Sequence, residues 1–205
     1  MKTHPPTLDE IALTTNTDKS TRLHSYTLIY HDLFAHRRNQ PISLLEVGIL
    51  GGDSLRMWAA FFAHPAARFV GVDIHDRGFV SEDKRIQTIY ADAGQAMVLA
   101  GLPGPFDIAI DDGSHFTSHQ VTFFEAVWPL VNPGGIMVIE DVHSCHSPQH
   151  QDMHMDFPSF IARLFREMQD EKGATGCAAP DPKNARYDIA GLELRRGLAI
   201  IRKRA

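Results

Sequence analysis

Several features that would assign this 205-residue chain to other classes of protein are scarce or missing. Only two cysteines occur, Cys145 and Cys177, which argues against a disulfide framework. No apolar run approaches the ~18 residues that a membrane span needs. The first ten residues lack the apolar core of a signal peptide. We therefore expect a cytoplasmic protein.

Positive charge is also scarce. The 20 lysines and arginines are outnumbered by 25 aspartates and glutamates, which gives a net charge of −5. Such a chain offers no electrostatic footprint to nucleic acid or to an anionic membrane surface. We therefore expect a small-molecule ligand rather than a nucleic-acid or membrane partner. The sequence leaves the formation of a homo-oligomer open.

The chain instead alternates short apolar runs with amphipathic stretches. With 43% hydrophobic residues it can bury one full core. We predict an α/β fold with a doubly wound, mostly parallel, seven-stranded Rossmann-like sheet that ends in a C-terminal antiparallel hairpin. Residues 1–205 are expected to form a single domain, with residues 1–25 as a mobile N-terminal arm. The predicted strands are 42–47, 69–72, 85–90, 106–110, 135–139, 189–194 and 198–202, and the predicted helices are 23–38, 54–62, 94–100, 118–131 and 157–170.

Acids mark the ends of the first two predicted strands. An apolar run carrying Glu46 leads into Gly48, Gly51 and Gly52, and a second apolar run ends at Asp73. Ligands of open parallel sheets bind at the carboxyl ends of the strands. The spacing departs from the dinucleotide pattern G-x-G-x-x-G, and an acid before the first glycine suits the amino group of S-adenosylmethionine better than a pyrophosphate. S-adenosylmethionine is therefore favoured over NAD, although the two acids could simply cap the following helices.

Acids and histidines follow the next two predicted strands of this series. Asp111-Asp112-Gly113-Ser114-His115 comes after one strand and Glu140-Asp141-Val142-His143 after the other. Acids brought together at one sheet edge repel each other unless a cation lies between them. Oxygen ligands favour a hard ion such as Mg²⁺ over Zn²⁺. Capping is the favoured role for Asp111, and helix capping by Glu140 and Asp141, or a surface role for His115, stays open.

These motifs resemble those of a known family. The glycine turn and its two acids are similar to motifs I and II of class I S-adenosylmethionine-dependent methyltransferases, with Leu50 standing where many members have a glycine. The two acidic motifs, together with Thr17-Asp18-Lys19 and Tyr26, resemble metal-dependent O-methyltransferases that tailor natural products such as macrolide sugars. The resemblance runs from about Thr17 to the final hairpin. It implies that Asp112, Glu140 and Asp141 ligate the metal, that His115 is the general base, and that the cofactor site contains Lys19, Tyr26, Glu46, Gly48, Gly52, Ser54, Asp73, Asp92 and Asp111.

The resemblance implies methyl transfer from S-adenosylmethionine to a hydroxyl of a sugar or polyol in a small natural product. Mg²⁺, or another hard divalent cation, would hold the acceptor. A catechol-like diol is the second choice of acceptor. A non-catalytic S-adenosylmethionine-binding partner protein and a metal-dependent enzyme of the same fold with other chemistry stay open. We interpret the histidine-rich segment as a lid over the substrate rather than a Zn²⁺ site; its histidines are His143, His146, His150 and His154.

Overall fold

A computed structural model of the protein describes residues 4–150, 152, 156–169 and 187–205. The strands are β1 (Ser43–Val47), β2 (Arg68–Asp73), β3 (Ile86–Tyr90), β4 (Phe106–Asp111), β5 (Val131–Ile139), β6 (Ile189–Arg195) and β7 (Leu198–Lys203). The helices are α1 (Leu8–Thr15), α2 (Tyr26–Phe34), α3 (Asp53–Phe61), α4 (Ala96–Ala100), α5 (Thr117–Val127) and α6 (Phe157–Gln169). Short 3-10 helices add residues 35–37, 128–130, 142–146 and 148–150.

The seven strands form one mixed sheet in the order β3-β2-β1-β4-β5-β7-β6. Strand β2 pairs in parallel with β1 and β3, and β4 pairs in parallel with β5. Strand β7 runs antiparallel to both β5 and β6. The predicted Rossmann-like α/β fold with a C-terminal antiparallel hairpin is therefore confirmed. Backbone contacts divide the chain into two compact units, Met1–Ala91 and Asp92–Ala205, and the single-domain organisation stays a prediction.

In the first unit, aromatic side chains form most of the core between α2, α3 and β2. All five residues of β1 are buried, as expected for a strand covered on both faces. Trp58 is fully buried and meets Tyr30 edge-on, with ring centroids 5.2 Å apart. Arg85, just before β3, donates to the carbonyl oxygens of Ala59 and Phe62 and so caps the end of α3.

Helix α1 corrects the sequence analysis, which treated residues 1–25 as a mobile arm and predicted no helix before residue 23. Thr7 caps the helix: its hydroxyl accepts a bond from the Glu10 N–H, and the Glu10 carboxylate accepts one from the Thr7 N–H. Leu8, Ile11 and Ala12 are buried on one face. The signal was present as Thr-x-x-Glu with helical apolar spacing, but the surrounding proline and threonine residues obscured it.

In the second unit, side chains from α5, α6 and the strand pairs form the core. Phe124 is fully buried and contacts Trp128 and Phe160 at centroid distances of 5.2 and 5.4 Å. Phe123 and Trp128 are buried beside it. Residues 170–186, between α6 and β6, lie outside the described residues, as does His154. None of the helices in the described part of the chain has the length and apolar character to traverse a bilayer.

Candidate active site

The glycine-rich turn after β1 has three residues with left-handed backbone geometry. Gly48, Leu50 and Gly52 have φ values of 84°, 47° and 79°. Glycine adopts this region without strain, whereas leucine rarely does. An alanine at Gly52 would also overlap the ring of Phe79. The turn therefore needs glycine at residue 52. Leu50 adopts the left-handed geometry at a position where many members of the resembled family have glycine.

Asp73, at the end of β2, holds this turn through its carboxylate. Oδ2 accepts hydrogen bonds from the backbone N–H groups of Ile49 and Leu50, at 3.1 and 2.9 Å. Oδ1 accepts one from the N–H of His75 at 2.9 Å. Bonds from these three amides fix the loop. Because a carboxylate offers about four acceptor positions, this geometry leaves room for a ribose hydroxyl.

Glu46 lies in the middle of a buried polar group within the first unit. Its Oε1 is 3.4 Å from Lys19 Nζ, and its Oε2 accepts a hydrogen bond of 2.7 Å from Ser54 Oγ. The side chains of Lys19 and Glu46 are 1% and 0% exposed. In this conformation the Lys19 ammonium stands beside Glu46, where we expected the cofactor's amino group. Tyr26 is also buried, and its ring stacks on His24.

Asp92, the third acid assigned to the cofactor, forms a tight turn after β3. Its Oδ1 accepts a hydrogen bond from Gly94 N–H at 2.9 Å, and Oδ2 accepts one from Gln95 Nε2 at 3.1 Å. The bond from the Gly94 amide is the main reason that the pKa of Asp92 lies below its usual value. The carboxylate is therefore ionised and can accept a further donor.

The acids after β4 and β5 come together, as the sequence predicted. Asp111 pairs in register with Ile139, and the N–H of Glu140 donates to the Asp111 carbonyl at 2.8 Å. This pairing sets the residues that follow the two strands side by side. Asp112, His115 and Asp141 each offer one possible ligand atom, and these three atoms lie within 4.8 Å of one another. A carboxylate oxygen of Glu140 also lies within 4.8 Å of a carboxylate oxygen of Asp112.

Two residues of this cluster have left-handed backbone geometry although neither is glycine. His115 has a φ of 61° and Asp141 a φ of 51°. Such geometry costs energy and is concentrated at functional sites. His115 Nε2 lies 3.6 Å from Asp141 Oδ2, and His143 Nδ1 lies 3.9 Å from Asp141 Oδ1. Asp141 is thus placed between two imidazoles.

Ser144 is a contact of this cluster that the sequence analysis missed. Its hydroxyl donates a hydrogen bond of 3.0 Å to the backbone carbonyl of His115. The bond ties the first 3-10 helix of the histidine-rich segment to the loop that carries His115. No spacing or motif connects residues 29 positions apart in the sequence, so this contact had no sequence signal.

Asp111 differs from its neighbours because it is buried. Its Oδ1 accepts a hydrogen bond from Gly113 N–H at 3.2 Å, which closes a tight turn. The predicted capping of the next helix is wrong, because α5 begins at Thr117 and its N-cap residue is Phe116. Burial raises the pKa of Asp111 to about 7, and the nearby Asp112 charge adds to the rise. A role for Asp111 at the cofactor stays a prediction.

The donor set of the second unit fits a hard divalent cation. Asp112, Glu140 and Asp141 supply carboxylate oxygens, and His115 supplies an imidazole nitrogen. Mg²⁺ prefers oxygen ligands and is usually held by a few carboxylates together with bound water. The three side chains of the Asp112–His115–Asp141 group are all partly exposed, so a ligand can approach them. The arrangement can therefore bind a cation and present an imidazole beside it.

Comparison with known proteins agrees with this architecture. Residues 45–142 match a family model described as a methyltransferase domain. The chain is 42% identical over 153 residues to mycinamicin VI 2''-O-methyltransferase of Micromonospora griseorubida, a match that covers 70% of this chain and 38% of that protein. It is 33% identical over 214 residues to 8-demethyl-8-alpha-L-rhamnosyl tetracenomycin-C 2'-O-methyltransferase of Streptomyces olivaceus, covering 98% of this chain and 55% of that protein.

A solved structure shows the same fold. The methyltransferase MycE from the mycinamycin biosynthetic pathway, in complex with Mg and S-adenosylhomocysteine (SAH), superimposes with a TM-score of 0.85 at 34% identity. That match covers 98% of this chain and 55% of MycE. The chain thus spans about half the length, or less, of the relatives reported above.

The fold and the matched residues define the class: the chain has a Rossmann-like fold, and residues 45–142 match a methyltransferase domain. More particularly, the chain contains a methyltransferase domain whose relatives are sugar O-methyltransferases of natural-product pathways. The family resemblance inferred from the sequence motifs is therefore confirmed. The roles of the individual site residues stay predictions.

Proposed function

We propose that this protein transfers a methyl group from S-adenosylmethionine to a hydroxyl of a sugar or polyol in a small natural product, with the help of a divalent cation. The observation that carries the proposal is the cluster of Asp112, His115 and Asp141, with ligand atoms within 4.8 Å of one another. A relative of the same fold binds Mg and SAH. The chemistry of the cluster and the relative's ligands support the same reaction.

Asp112, Glu140 and Asp141 would hold the cation. When bound, the cation would lower the pKa of an acceptor hydroxyl, which is otherwise too high for attack at neutral pH. Asp112 lies close to both Asp141 and Glu140, and such carboxylates repel one another in the absence of the cation. The left-handed backbone at Asp141 supports this role, because such strain persists where the surrounding structure fixes a side chain for function.

His115 would remove the proton of the acceptor hydroxyl. Its Nε2 lies 3.6 Å from Asp141 Oδ2, so the Asp141 carboxylate would stabilise the imidazolium that forms. The acceptor oxygen would then form a bond to the methyl carbon of the cofactor as the carbon–sulfur bond breaks, and SAH would leave. General-base assistance of this kind is typically worth about 10² to 10⁴ in rate.

The glycine turn and Asp73 would hold the cofactor. Asp73 keeps the turn in place through the amides of Ile49 and Leu50 and would accept the ribose hydroxyls. Glu46, Ser54, Lys19 and Tyr26 are proposed around the amino-acid end, and Asp92 near the adenine. Because the side chains of Lys19 and Glu46 are buried, we propose that they act by holding the shape of the turn and by setting the electrostatic potential around it.

The acceptor class is inferred from the relatives. Those reported above are named for methylation of mycinamicin VI and of a rhamnosyl tetracenomycin, and MycE has been solved with Mg, SAH and mycinamycin VI. A glycosylated natural product is therefore the first choice of substrate. Its sugar would approach the partly exposed His115 and Asp141.

A panel of glycosides tests the proposal. We would incubate the protein with S-adenosylmethionine, Mg²⁺ and each glycoside, and follow SAH and the mass of the acceptor. We expect one acceptor to gain a single methyl group, and EDTA to abolish that gain. Binding of SAH without turnover on any acceptor would favour a non-catalytic partner protein. Metal-dependent conversion without SAH would favour other chemistry.

A further inference from the structure

His119, in the first turn of α5, has no role in the proposed methyl transfer, yet its side chain is held in a defined orientation. Its ring meets Phe116 edge-on, with centroids 5.6 Å apart and planes at 67°. Its Nδ1 lies 2.7 Å from Ser114 Oγ, a short hydrogen bond. The side chain is nevertheless partly exposed. An imidazole that is fixed on one side and open on another can meet a ligand.

The contacts of Ser114 are compatible with a proton on Nε2 of this ring. Ser114 Oγ accepts from the N–H of Phe116 at 3.5 Å, and its own O–H can donate to His119 Nδ1, 2.7 Å away. A neutral imidazole that accepts at Nδ1 carries its proton at Nε2. In this tautomer His119 presents an Nε2–H donor.

This donor lies beside the carboxylate of Asp92. A β-carbon built on Gly94 would lie 2.7 Å from His119 Nε2 and 3.1 Å from Asp92 Oδ1. Both atoms are therefore within 3.1 Å of one point above the turn. Glycine at residue 94 is what allows the ring to approach the turn so closely. One hydrogen-bond donor and one acceptor thus stand side by side.

We propose that His119 and Asp92 together read the adenine edge of the cofactor, an inference that rests on the proposed function. Adenine offers an amine donor at N6 and an acceptor at the adjacent N1. Asp92 would accept from the amine and His119 Nε2–H would donate to N1. Hypoxanthine has an oxygen in place of the amine and a proton on N1, so its edge mismatches the pair at both positions.

The test compares the affinity of the protein for SAH with its affinity for the analogue that carries hypoxanthine instead of adenine. Isothermal titration calorimetry measures both without an acceptor or a metal. The wild-type protein should bind SAH at least about tenfold more tightly, because the wrong base leaves polar groups unpaired. His119→Ala should weaken SAH binding by about 3- to 10-fold and leave the analogue nearly unaffected.

Two further variants separate recognition from structure. His119→Gln keeps an N–H donor and should recover part of the preference for adenine. Gly94→Ala keeps every polar side chain but drives the ring of His119 off the turn, so it should reduce the preference. Gly101→Ala is the matched control, because a β-carbon there has no neighbour closer than 3.4 Å. His31→Ala removes a ring that makes an edge-on contact with Phe61 and accepts from Leu8 N–H, outside the proposed pair.

The outcomes distinguish this inference from the proposed function. A selective loss of SAH affinity in His119→Ala and Gly94→Ala, with both controls unchanged, supports the adenine-reading pair. If His119→Ala binds both ligands as the wild type does, or loses both equally, the inference is overturned while the proposed function stands. If the wild-type protein binds neither ligand, the proposed function itself is overturned.

Discussion

The glycine turn of the first unit and the acid–histidine cluster of the second unit use carboxylates in opposite ways. In the turn, Asp73 accepts from three backbone amides and Glu46 is enclosed with Lys19 and Ser54. In the cluster, Asp112 and Asp141 are partly exposed, with their oxygens close together. The acids of the turn shape the backbone, whereas Asp112 and Asp141 stay accessible.

This difference separates the physical roles of residues that look alike in the sequence. Each acid follows a buried apolar run, so the pattern alone predicts a strand end and a carboxylate. Hydrogen bonds from nearby backbone amides make such a carboxylate a support for the loop. Carboxylates that face one another and remain partly exposed are suited to a cation. Substitutions in the turn should therefore affect stability and cofactor affinity, and substitutions in the cluster should affect turnover.

The largest effect is expected for Asp112→Asn. Replacing a proposed ligand by a neutral amide removes charge that the cation needs, which is worth several kcal/mol in the transition state, or about 10³-fold in turnover. The rate of SAH formation on the acceptor found in the panel measures the loss. Asp76→Asn is the control, because Asp76 lies on an exposed loop where it accepts from Gly78 N–H. Turnover within a few-fold of wild type in Asp112→Asn would contradict the assignment.

His115→Ala should lower turnover by about 10² to 10⁴ while the affinity for SAH stays nearly the same. His115 also lies with Asp112 and Asp141 in the group that could hold an ion, so it could act as base or as ligand. The Mn²⁺ affinity of the variant separates the two roles. A base leaves that affinity almost unchanged, and a marked fall in it would make His115 a ligand.

Asp73→Ala should weaken SAH binding by about 10- to 100-fold. The variant removes an acceptor for the ribose hydroxyls and releases the amides of Ile49 and Leu50, and hydrogen bonds to charged groups are worth about 1.5–3 kcal/mol. Calorimetric titration with SAH measures the change. An equal loss of affinity in His115→Ala would refute the division of roles between the turn and the cluster.

Gly52→Ala should reduce the free energy of unfolding by about 1–3 kcal/mol, since it forces a left-handed backbone on alanine and meets the ring of Phe79. Gly51→Ala is the matched control, because a β-carbon there has no neighbour within 4 Å. Its effect should stay within about 0.5 kcal/mol. Urea unfolding of the three proteins measures the difference. Equal stabilities of the two variants would show that the turn does not depend on Gly52.

The smallest effect is expected at Asp83, outside both regions. The hydrogen bond from Arg85 is the main reason that the pKa of Asp83 lies below its usual value. A lowered folded-state pKa contributes stability above the unfolded-state pKa, and that contribution is lost as the pH falls through the folded-state value. Asp83→Asn should therefore be slightly less stable at pH 7, by at most about 1 kcal/mol, and the difference should shrink toward pH 3. Urea midpoints at the two pH values test this, and a difference that grows on acidification would contradict it.

The sequence was sufficient for the fold because its apolar runs are short, regular and separated by turn residues. The strand carrying Glu46 and the strand ending at Asp73 were both predicted within a residue or two of their observed bounds. Helix α1 was missed although Thr7 and Glu10 form a capping box. Proline and threonine near the start outweighed a correct local signal.

The site was predictable only where the sheet itself brings residues together. Asp112 and Asp141 follow neighbouring strands, so their approach results from strand register. The pairing of Lys19 with Glu46 and of Ser144 with the His115 carbonyl depends on side chains from distant segments. Periodicity and spacing carry no information about such contacts, nor about the left-handed backbone at His115.

The most direct test of the account is the binding of Mn²⁺, as a spectroscopic substitute for Mg²⁺, followed by electron paramagnetic resonance. The account predicts that the wild-type protein binds one Mn²⁺ per chain, that Mg²⁺ displaces it, and that Asp112→Asn loses the site while Asp76→Asn keeps it. Absence of bound Mn²⁺ in the wild-type protein, or unchanged binding in Asp112→Asn, would contradict the central claim that these acids hold a cation.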